Sequence, residues 1–156
     1  MTNNLIESIP LHSSMISSKS SKTFAQEKIE LKAKNGTDKA SLSNRNIAGR
    51  HFIVDFYGAS HLTDLTLIEK VLIDASHIAG ATLLHIHLHK FTGGGITGVA
   101  LLAESHISVH TWPERDYAAF DVFMCGEALP EKAVSLLEQV FQPSRTETQE
   151  IFRGKP

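Results

Sequence analysis

The chain has 156 residues, of which 42% are hydrophobic and 21% are charged, as in an ordinary globular domain. Lys and Arg total 15 against 17 for Asp and Glu, and a net charge of -2 argues against binding to nucleic acid or to an anionic membrane. No apolar stretch approaches the roughly 20 residues that span a bilayer, and the first residues do not resemble a secretory signal. The single cysteine, Cys125, suits a reducing compartment, so we expect a cytoplasmic protein.

The first fifty residues differ in composition from the rest of the chain. They contain nine serines and carry 8 basic against 4 acidic side chains, whereas residues 51–156 carry 7 basic against 13 acidic ones. We interpret residues 1–50 as a disordered Ser- and Lys-rich extension and residues 51–156 as the folded domain. The acidic residues of the extension disfavour an organelle-targeting leader.

The folded part begins with a predicted strand and a predicted helix. HFIVDFYG is rich in β-branched and aromatic residues and ends at Gly58, which is typical of a strand. Asp64 then precedes LTLIEKVLIDASHIAG, which predicts an amphipathic helix that stops at Gly80. Its apolar residues recur at three- and four-residue spacing: Leu67, Val71, Ala75 and Ile78.

Strands dominate the middle of the chain. The predicted strands are ATLLHIHLHKF, ITGVALLAES, HISVHTW and YAAFDVFMCG, with GGG as a loop after the first. Pro130 then opens a helix, EKAVSLLEQVF, and RTETQEIF is a predicted edge strand. The apolar stripe of this helix consists of Ala133, Leu136, Leu137 and Val140. The order β-α-β-β-β-β-α-β predicts an α+β fold, a two-layer sandwich with a mainly antiparallel sheet covered on one face by two helices.

Two short motifs could suggest ligand binding. HIHLH places His85, His87 and His89 on one face of a strand, but the outer two lie about 13 Å apart along it, too far to share one zinc ion. We therefore favour a polar sheet face over a zinc site and predict no metal. Gly93–Gly95 lacks the spacing of a nucleotide-binding loop, so we interpret it as a flexible connection.

The segment GVALLAESHISVHTWPERDYAAFDVFMCG is dense in chemically reactive side chains. Six of them fall within about twenty residues: Glu104, Ser105, His106, His110, Glu114 and Cys125. A serine near histidines could be the nucleophile of a hydrolase, although the GxSxG motif is absent.

LLAESHISVHTWPE followed by YAAFDVFMCG closely resembles the pyruvoyl-dependent S-adenosylmethionine decarboxylase proenzymes of the short prokaryotic type. The resemblance extends from about His51 to Gly154 and includes HKF at 89–91. It implies a chain that cuts itself between Glu104 and Ser105. The products would be a beta chain of residues 1–104 and an alpha chain of residues 105–156, which begins with a pyruvoyl group made from Ser105.

The resemblance also implies roles for three residues. The pyruvoyl group from Ser105 would form a Schiff base with the substrate amine and replace pyridoxal phosphate as the electron sink. His110 matches the base that removes the α-proton of Ser105 during processing. Cys125 matches the acid that protonates the substrate carbon after carbon dioxide leaves.

Three further assignments are weaker. Phe91 and Glu114 match residues that stack on adenine and bind ribose hydroxyls, and the less favoured alternatives are a core aromatic and a solvated turn acid. Thr97 stands in GITG, where the family usually has a serine that assists processing. We expect processing to survive this change, because threonine keeps the hydroxyl.

The resemblance implies decarboxylation of S-adenosylmethionine for spermidine biosynthesis. Two alternatives remain open: a pyruvoyl enzyme acting on arginine or ornithine, and an unprocessed regulatory or binding paralogue. Along one straight strand, Thr97 and His110 cannot both reach Ser105. Either bends bring them together or a second protomer supplies them. The resemblance implies a homodimeric site, which agrees with the second option, and we predict a homodimer of alpha/beta heterodimers with shared sites.

Overall fold

The computed structural model describes residues 47–156. It contains six strands and two helices in the predicted order. The elements are β1 (Gly49–Tyr57), α1 (Leu65–Ile78), β2 (Leu83–Lys90), β3 (Ile96–Leu102), β4 (Ser105–Trp112), a short 3-10 helix (Pro113–Arg115), β5 (Tyr117–Met124), α2 (Pro130–Phe141) and β6 (Arg145–Arg153). The expectation of disorder for residues 1–46 lies outside the described residues. No helix in the described range is long and apolar enough to cross a membrane.

The six strands form one sheet in the order β2-β3-β4-β5-β1-β6. Every neighbouring pair is antiparallel, and β6 lies at one edge as the sequence predicted. The folded part begins slightly before the predicted boundary at His51, because Gly49 and Arg50 already pair with Arg153 and Phe152 of β6.

Both helices contribute buried apolar side chains to the core, and the predicted α+β sandwich is confirmed. Phe56 of β1, Phe120 of β5 and Phe141 of α2 are fully buried and pack with ring centroids 5.2 to 6.3 Å apart. The face of the sheet opposite the helices is called the open face below. Its side chains on the central strands include His106, Ser108, His110 and Trp112.

The first helix begins where the sequence predicted. The side chain of Asp64 accepts a hydrogen bond from the backbone N–H of Leu67 at 3.0 Å, which satisfies one free donor of the first turn. The predicted stripe is confirmed at Val71 and Ala75 and wrong at its two ends. Leu67 and Ile78 are only half-buried, and the buried side chains of α1 are Ile68, Val71, Leu72, Ala75 and Ser76.

The second helix has the predicted stripe except at its end. Ala133, Leu136 and Leu137 are buried, whereas Val140 is half-buried and Phe141 takes its place in the core. Pro130 occupies the first turn, where its missing N–H leaves no hydrogen bond unmade.

The predicted strand ITGVALLAES is too long. β3 ends at Leu102, and Leu102 pairs with Ser105 across a two-residue loop formed by Ala103 and Glu104. The apolar run thus continues into a tight hairpin, which places the Glu104–Ser105 peptide bond at the start of β4.

Candidate active site

The β3–β4 hairpin presents the Glu104–Ser105 peptide bond at one end of the sheet. The carbonyl oxygen of Glu104 accepts a hydrogen bond from the backbone N–H of Cys125 at 3.0 Å. Ser105 pairs with Met124, the residue before Cys125, so β5 holds this cysteine next to the hairpin. A backbone donor on the carbonyl withdraws electron density from its carbon and stabilises negative charge on its oxygen.

Ser105 has an unusual backbone conformation. Its φ is 144°, in a region that residues with a Cβ seldom adopt. Such a conformation costs on the order of 1–3 kcal/mol and persists only where the surroundings impose it. Here the hairpin and the pairing with Met124 impose it on the residue after the bond at which the resemblance implies cleavage.

The side chain of Glu104 is held by the loop before β2. Its carboxylate accepts hydrogen bonds from the backbone N–H of Thr82 at 2.7 Å and from the Thr82 hydroxyl at 3.3 Å. The backbone N–H of Thr82 is the main reason why the pKa of the Glu104 carboxyl lies below its ordinary value. A second attachment therefore keeps the hairpin loop in place.

The hydroxyl of Ser105 lies next to an imidazole. Its Oγ is 3.2 Å from Nδ1 of His106, the next residue along the chain. Burial is the main cause that lowers the pKa of His106, the neighbouring His51 lowers it further, and Asp121 acts in the opposite direction. Burial thus favours the neutral imidazole, which has a nitrogen free to accept a hydrogen bond.

Behind His106, a polar network joins side chains of four strands, β1, β4, β5 and β6. Nε2 of His51 is 3.2 Å from Asp121, and the hydroxyl of Ser108 donates to the same carboxylate at 3.0 Å. Arg153 lies 3.3 Å from Nδ1 of His51. The sequence analysis missed this network, because His51, Asp121 and Arg153 come together only through the register of β1 with β5 and β6.

The other predicted processing residues lie at the opposite end of β4. Thr97 pairs with His110 across β3 and β4, and Oγ1 of Thr97 is 2.8 Å from Nδ1 of His110. His110 is exposed on the open face, five residues from Ser105, which corresponds to about 16 Å along the strand. The fold thus brings Ser105 and Cys125 together and keeps Thr97 and His110 apart from them.

Phe91 and Glu114 lie at the same end as His110. The backbone of Phe91 closes the β2–β3 turn by donating to the carbonyl of Gly95 at 2.8 Å, and its ring is 53% exposed. The interpretation of Phe91 as a core aromatic is therefore wrong. Glu114 is exposed on the 3-10 helix that follows β4.

The histidine motif and the glycine loop, which could suggest metal or nucleotide binding, form no comparable cluster of reactive groups. His85, His87 and His89 are exposed on the edge strand β2, and no group of three or more His, Cys, Asp or Glu residues between 47 and 156 could hold a metal ion. Gly93–Gly95 lies in the turn between β2 and β3, where Gly94 has a φ of 90°.

Comparison with known proteins identifies the family. The family model of S-adenosylmethionine decarboxylase matches residues 50–154. The chain belongs to the S-adenosylmethionine decarboxylase family. It is 48% identical over 109 residues to an S-adenosylmethionine decarboxylase proenzyme of Methanococcus maripaludis, covering 68% of this chain and 89% of that protein. The corresponding proenzyme of Thermomicrobium roseum is 42% identical over 108 residues, covering 68% of this chain and 93% of that protein.

A solved structure agrees with this assignment. The crystal structure of the adenosylmethionine decarboxylase of Aquifex aeolicus superposes with a TM-score of 0.65 at 34% identity. The match covers 71% of this chain and 94% of that one. The resemblance inferred from the sequence is confirmed, and so is the fold of the S-adenosylmethionine decarboxylase family.

Proposed function

We propose that this chain is a self-cleaving proenzyme that decarboxylates S-adenosylmethionine. The observation that carries the proposal is the geometry of the β3–β4 hairpin in a member of this decarboxylase family. The Glu104–Ser105 bond lies in a strained conformation, its carbonyl is polarised by the N–H of Cys125, and a serine hydroxyl follows it. These residues fit the formation of a pyruvoyl group at Ser105, which would supply an electron sink for the decarboxylation.

Maturation requires a base and a leaving group. After the Glu104 carbonyl has moved from nitrogen to the Ser105 hydroxyl, His110 takes the α-proton of Ser105, and the ester leaves as the Glu104 carboxylate. Water then replaces the nitrogen, ammonia is released, and a ketone remains on residue 105. Decarboxylation leaves a carbanion on the substrate, to which the thiol of Cys125 donates a proton.

A homodimer reconciles these roles with the positions of the residues. His110 and Thr97 lie about 16 Å along β4 from Ser105. Two protomers could pack with their open faces together around a two-fold axis that is parallel to the sheet and perpendicular to its strands. This arrangement would bring the His110 end of one protomer to the Ser105 end of its partner. Exposed apolar side chains at Val99, Leu101 and Trp112 support a partner covering this face.

The same dimer would provide a pocket for the nucleoside. Phe91 and Glu114 lie at the His110 end, so the partner would supply an aromatic face for adenine and a carboxylate for ribose hydroxyls. The decarboxylated product would donate aminopropyl groups in spermidine synthesis in the cytoplasm. Arginine and ornithine have no adenine ring, and an enzyme specific for either would not depend on Phe91.

The intact mass of the purified protein tests the proposal directly. The wild-type chain should give residues 1–104 and a fragment of residues 105–156 that is blocked by a ketone, whereas Ser105→Ala should remain whole. The cleaved protein is then given S-adenosylmethionine, arginine and ornithine separately, and carbon dioxide release is measured. An uncleaved wild-type chain would support the regulatory alternative, and release from arginine or ornithine would support the other decarboxylases.

A mixed dimer tests the shared site. Chains with His110→Ala and chains with Cys125→Ala are each expected to be inactive as homodimers. Coexpressed, they form one site that lacks both residues and one that has both, so activity should return in part. A purified protein that is monomeric and fully active would rule out sharing.

A further inference from the structure

The histidine next to the cleavage site has no role in the function proposed so far. We propose that His106 is the base that takes the hydroxyl proton of Ser105 in the first step of self-cleavage, and that one chain completes this step alone. The inference rests on the proposed self-cleavage and assigns its first step, whereas His110 acts in the second.

The geometry supplies each group that the first step needs. In the tautomer that carries its hydrogen on Nε2, Nδ1 of His106 accepts the hydroxyl hydrogen of Ser105 across 3.2 Å. The N–H of Cys125, 3.0 Å from the Glu104 oxygen, stabilises the oxyanion that forms when the hydroxyl attacks. The strained φ of 144° at Ser105 raises the free energy of the peptide relative to the ester, because forming the ester frees the nitrogen of Ser105 from the backbone constraint.

Within one chain, no other described imidazole is placed for this task. His110 is five residues along β4 and is hydrogen-bonded to Thr97. The ring of His51 lies 6.2 Å from the ring of His106, and its hydrogen-bond partners are Asp121 and Arg153. The burial that lowers the pKa of His106 keeps its imidazole neutral and able to accept a proton near pH 7.

The step balances without a co-reactant. Oγ of Ser105 bonds to the carbonyl carbon of Glu104 while His106 takes the hydroxyl proton. The bond between that carbon and the nitrogen of Ser105 then breaks, and His106 returns the proton to the nitrogen. The product is an ester between Glu104 and the Ser105 side chain, with a free amine on residue 105.

The ester is the readout that tests the proposal. His110→Ala provides the background, because it should stop maturation after the first step and let the ester accumulate. Hydroxylamine cleaves such an ester into residues 1–104 as a hydroxamate and residues 105–156 with an N-terminal serine, which differ in mass from the products of complete maturation. The variants His106→Asn and His77→Asn are each added to this background. His77 is an exposed histidine in the last turn of α1 and serves as the matched control.

Asn is chosen because its amide can hydrogen-bond from the position of Nδ1 but cannot hold a proton. If His106 is the base, His106→Asn should slow ester formation by about 100-fold or more, and His77→Asn should leave it unchanged. Ester formation within about threefold of the background would show that His106 only positions the hydroxyl, and would overturn the proposal. Circular dichroism and thermal melting establish that each variant is folded.

A pH series on the His110→Ala protein remains decisive if His106→Asn does not fold. The groups facing His106 are His51, Asp121 and Phe123, with Arg153 bonded to His51. Ester formation should be constant through pH 6.5, the ordinary pKa of histidine, and should decline only below it. A rate that stays constant down to about pH 4 would exclude an imidazole base.

Coexpression of two variants tests whether the base acts within one chain or across the dimer. Ser105→Ala chains carry an intact His106, so they would rescue His106→Asn chains only if the base acted across the dimer. We expect no rescue, whereas Ser105→Ala should rescue His110→Ala under the shared-site proposal. Cleavage of the His106→Asn chain in the mixture would overturn the single-chain step. A wild-type protein that never cleaves would instead refute the proposed function itself.

Discussion

Replacing Thr97 with valine tests how the threonine assists His110. Valine has nearly the same shape and a high strand propensity, so it should preserve β3 while removing only the hydroxyl. The Thr97 oxygen lies 2.8 Å from Nδ1 of His110. If it accepts the Nδ1 hydrogen, it holds the imidazole in the tautomer whose Nε2 is free to take the α-proton of Ser105.

The magnitude follows from one hydrogen bond. Its loss is worth about 0.5–1.5 kcal/mol, or roughly a 2- to 12-fold decrease in rate. The assay follows release of the 105–156 fragment by mass spectrometry, with hydroxylamine added to aliquots to count the ester. The valine variant should accumulate ester, and Thr97→Ser should behave like wild type. Fragment release at the wild-type rate, or slower formation of the ester itself, would refute this role.

Three other outcomes are expected. Cys125→Ala should cleave itself at nearly the wild-type rate, because its backbone N–H still reaches the Glu104 carbonyl. Its rate of carbon dioxide release should fall about 100-fold or more. A cleavage defect would count against a role of the thiol in decarboxylation alone. Leu137→Ala, at a fully buried position, should lower the free energy of unfolding by about 2–5 kcal/mol in urea titrations of the uncleaved Ser105→Ala protein. Burial and the hydrogen bond to Asp55 raise the pKa of Tyr117 to about 12. The unfolded chain therefore loses this proton first, and stability should fall as the pH rises from about 10 to about 12, less so in Tyr117→Phe.

Residue periodicity predicted the strands and helices because, over most of the described residues, the local pattern agrees with the burial seen in the fold. Alternating residues along β5 and helical spacing along α2 agree with the faces that these elements bury. The prediction failed at the end of β3. Ala103 and Glu104 form a two-residue loop without the Gly or Asn that normally marks one, and Ser105 has the positive φ instead.

The same distinction applies to the candidate site: part of it follows from a local sequence motif, and part depends on contacts between distant strands. The segment that contains Ser105 and Cys125 is recognisable from its motif, and the structure places the two ends of that motif together through the pairing of Ser105 with Met124. The contacts of His51 with Asp121 depend on the register of β1 against β5, which no local pattern encodes. The sequence shows His106 as a reactive side chain, but the role proposed for it depends on a distance that only the hairpin geometry supplies.

The separation of the two clusters gives maturation an order. Ser105, His106 and the N–H of Cys125 come together as soon as one chain folds, so the ester can form before any partner arrives. His110 is about 16 Å away along the same strand, and in the proposed homodimer it reaches the Ser105 of the partner. The ester is reversible, because the free amine of residue 105 can attack it and restore the peptide bond. Elimination expels the Glu104 carboxylate, and the hydrolysis that follows releases ammonia and makes the cleavage irreversible. Under the two proposals together, a chain commits itself to cleavage only after it has found the partner that completes its active site.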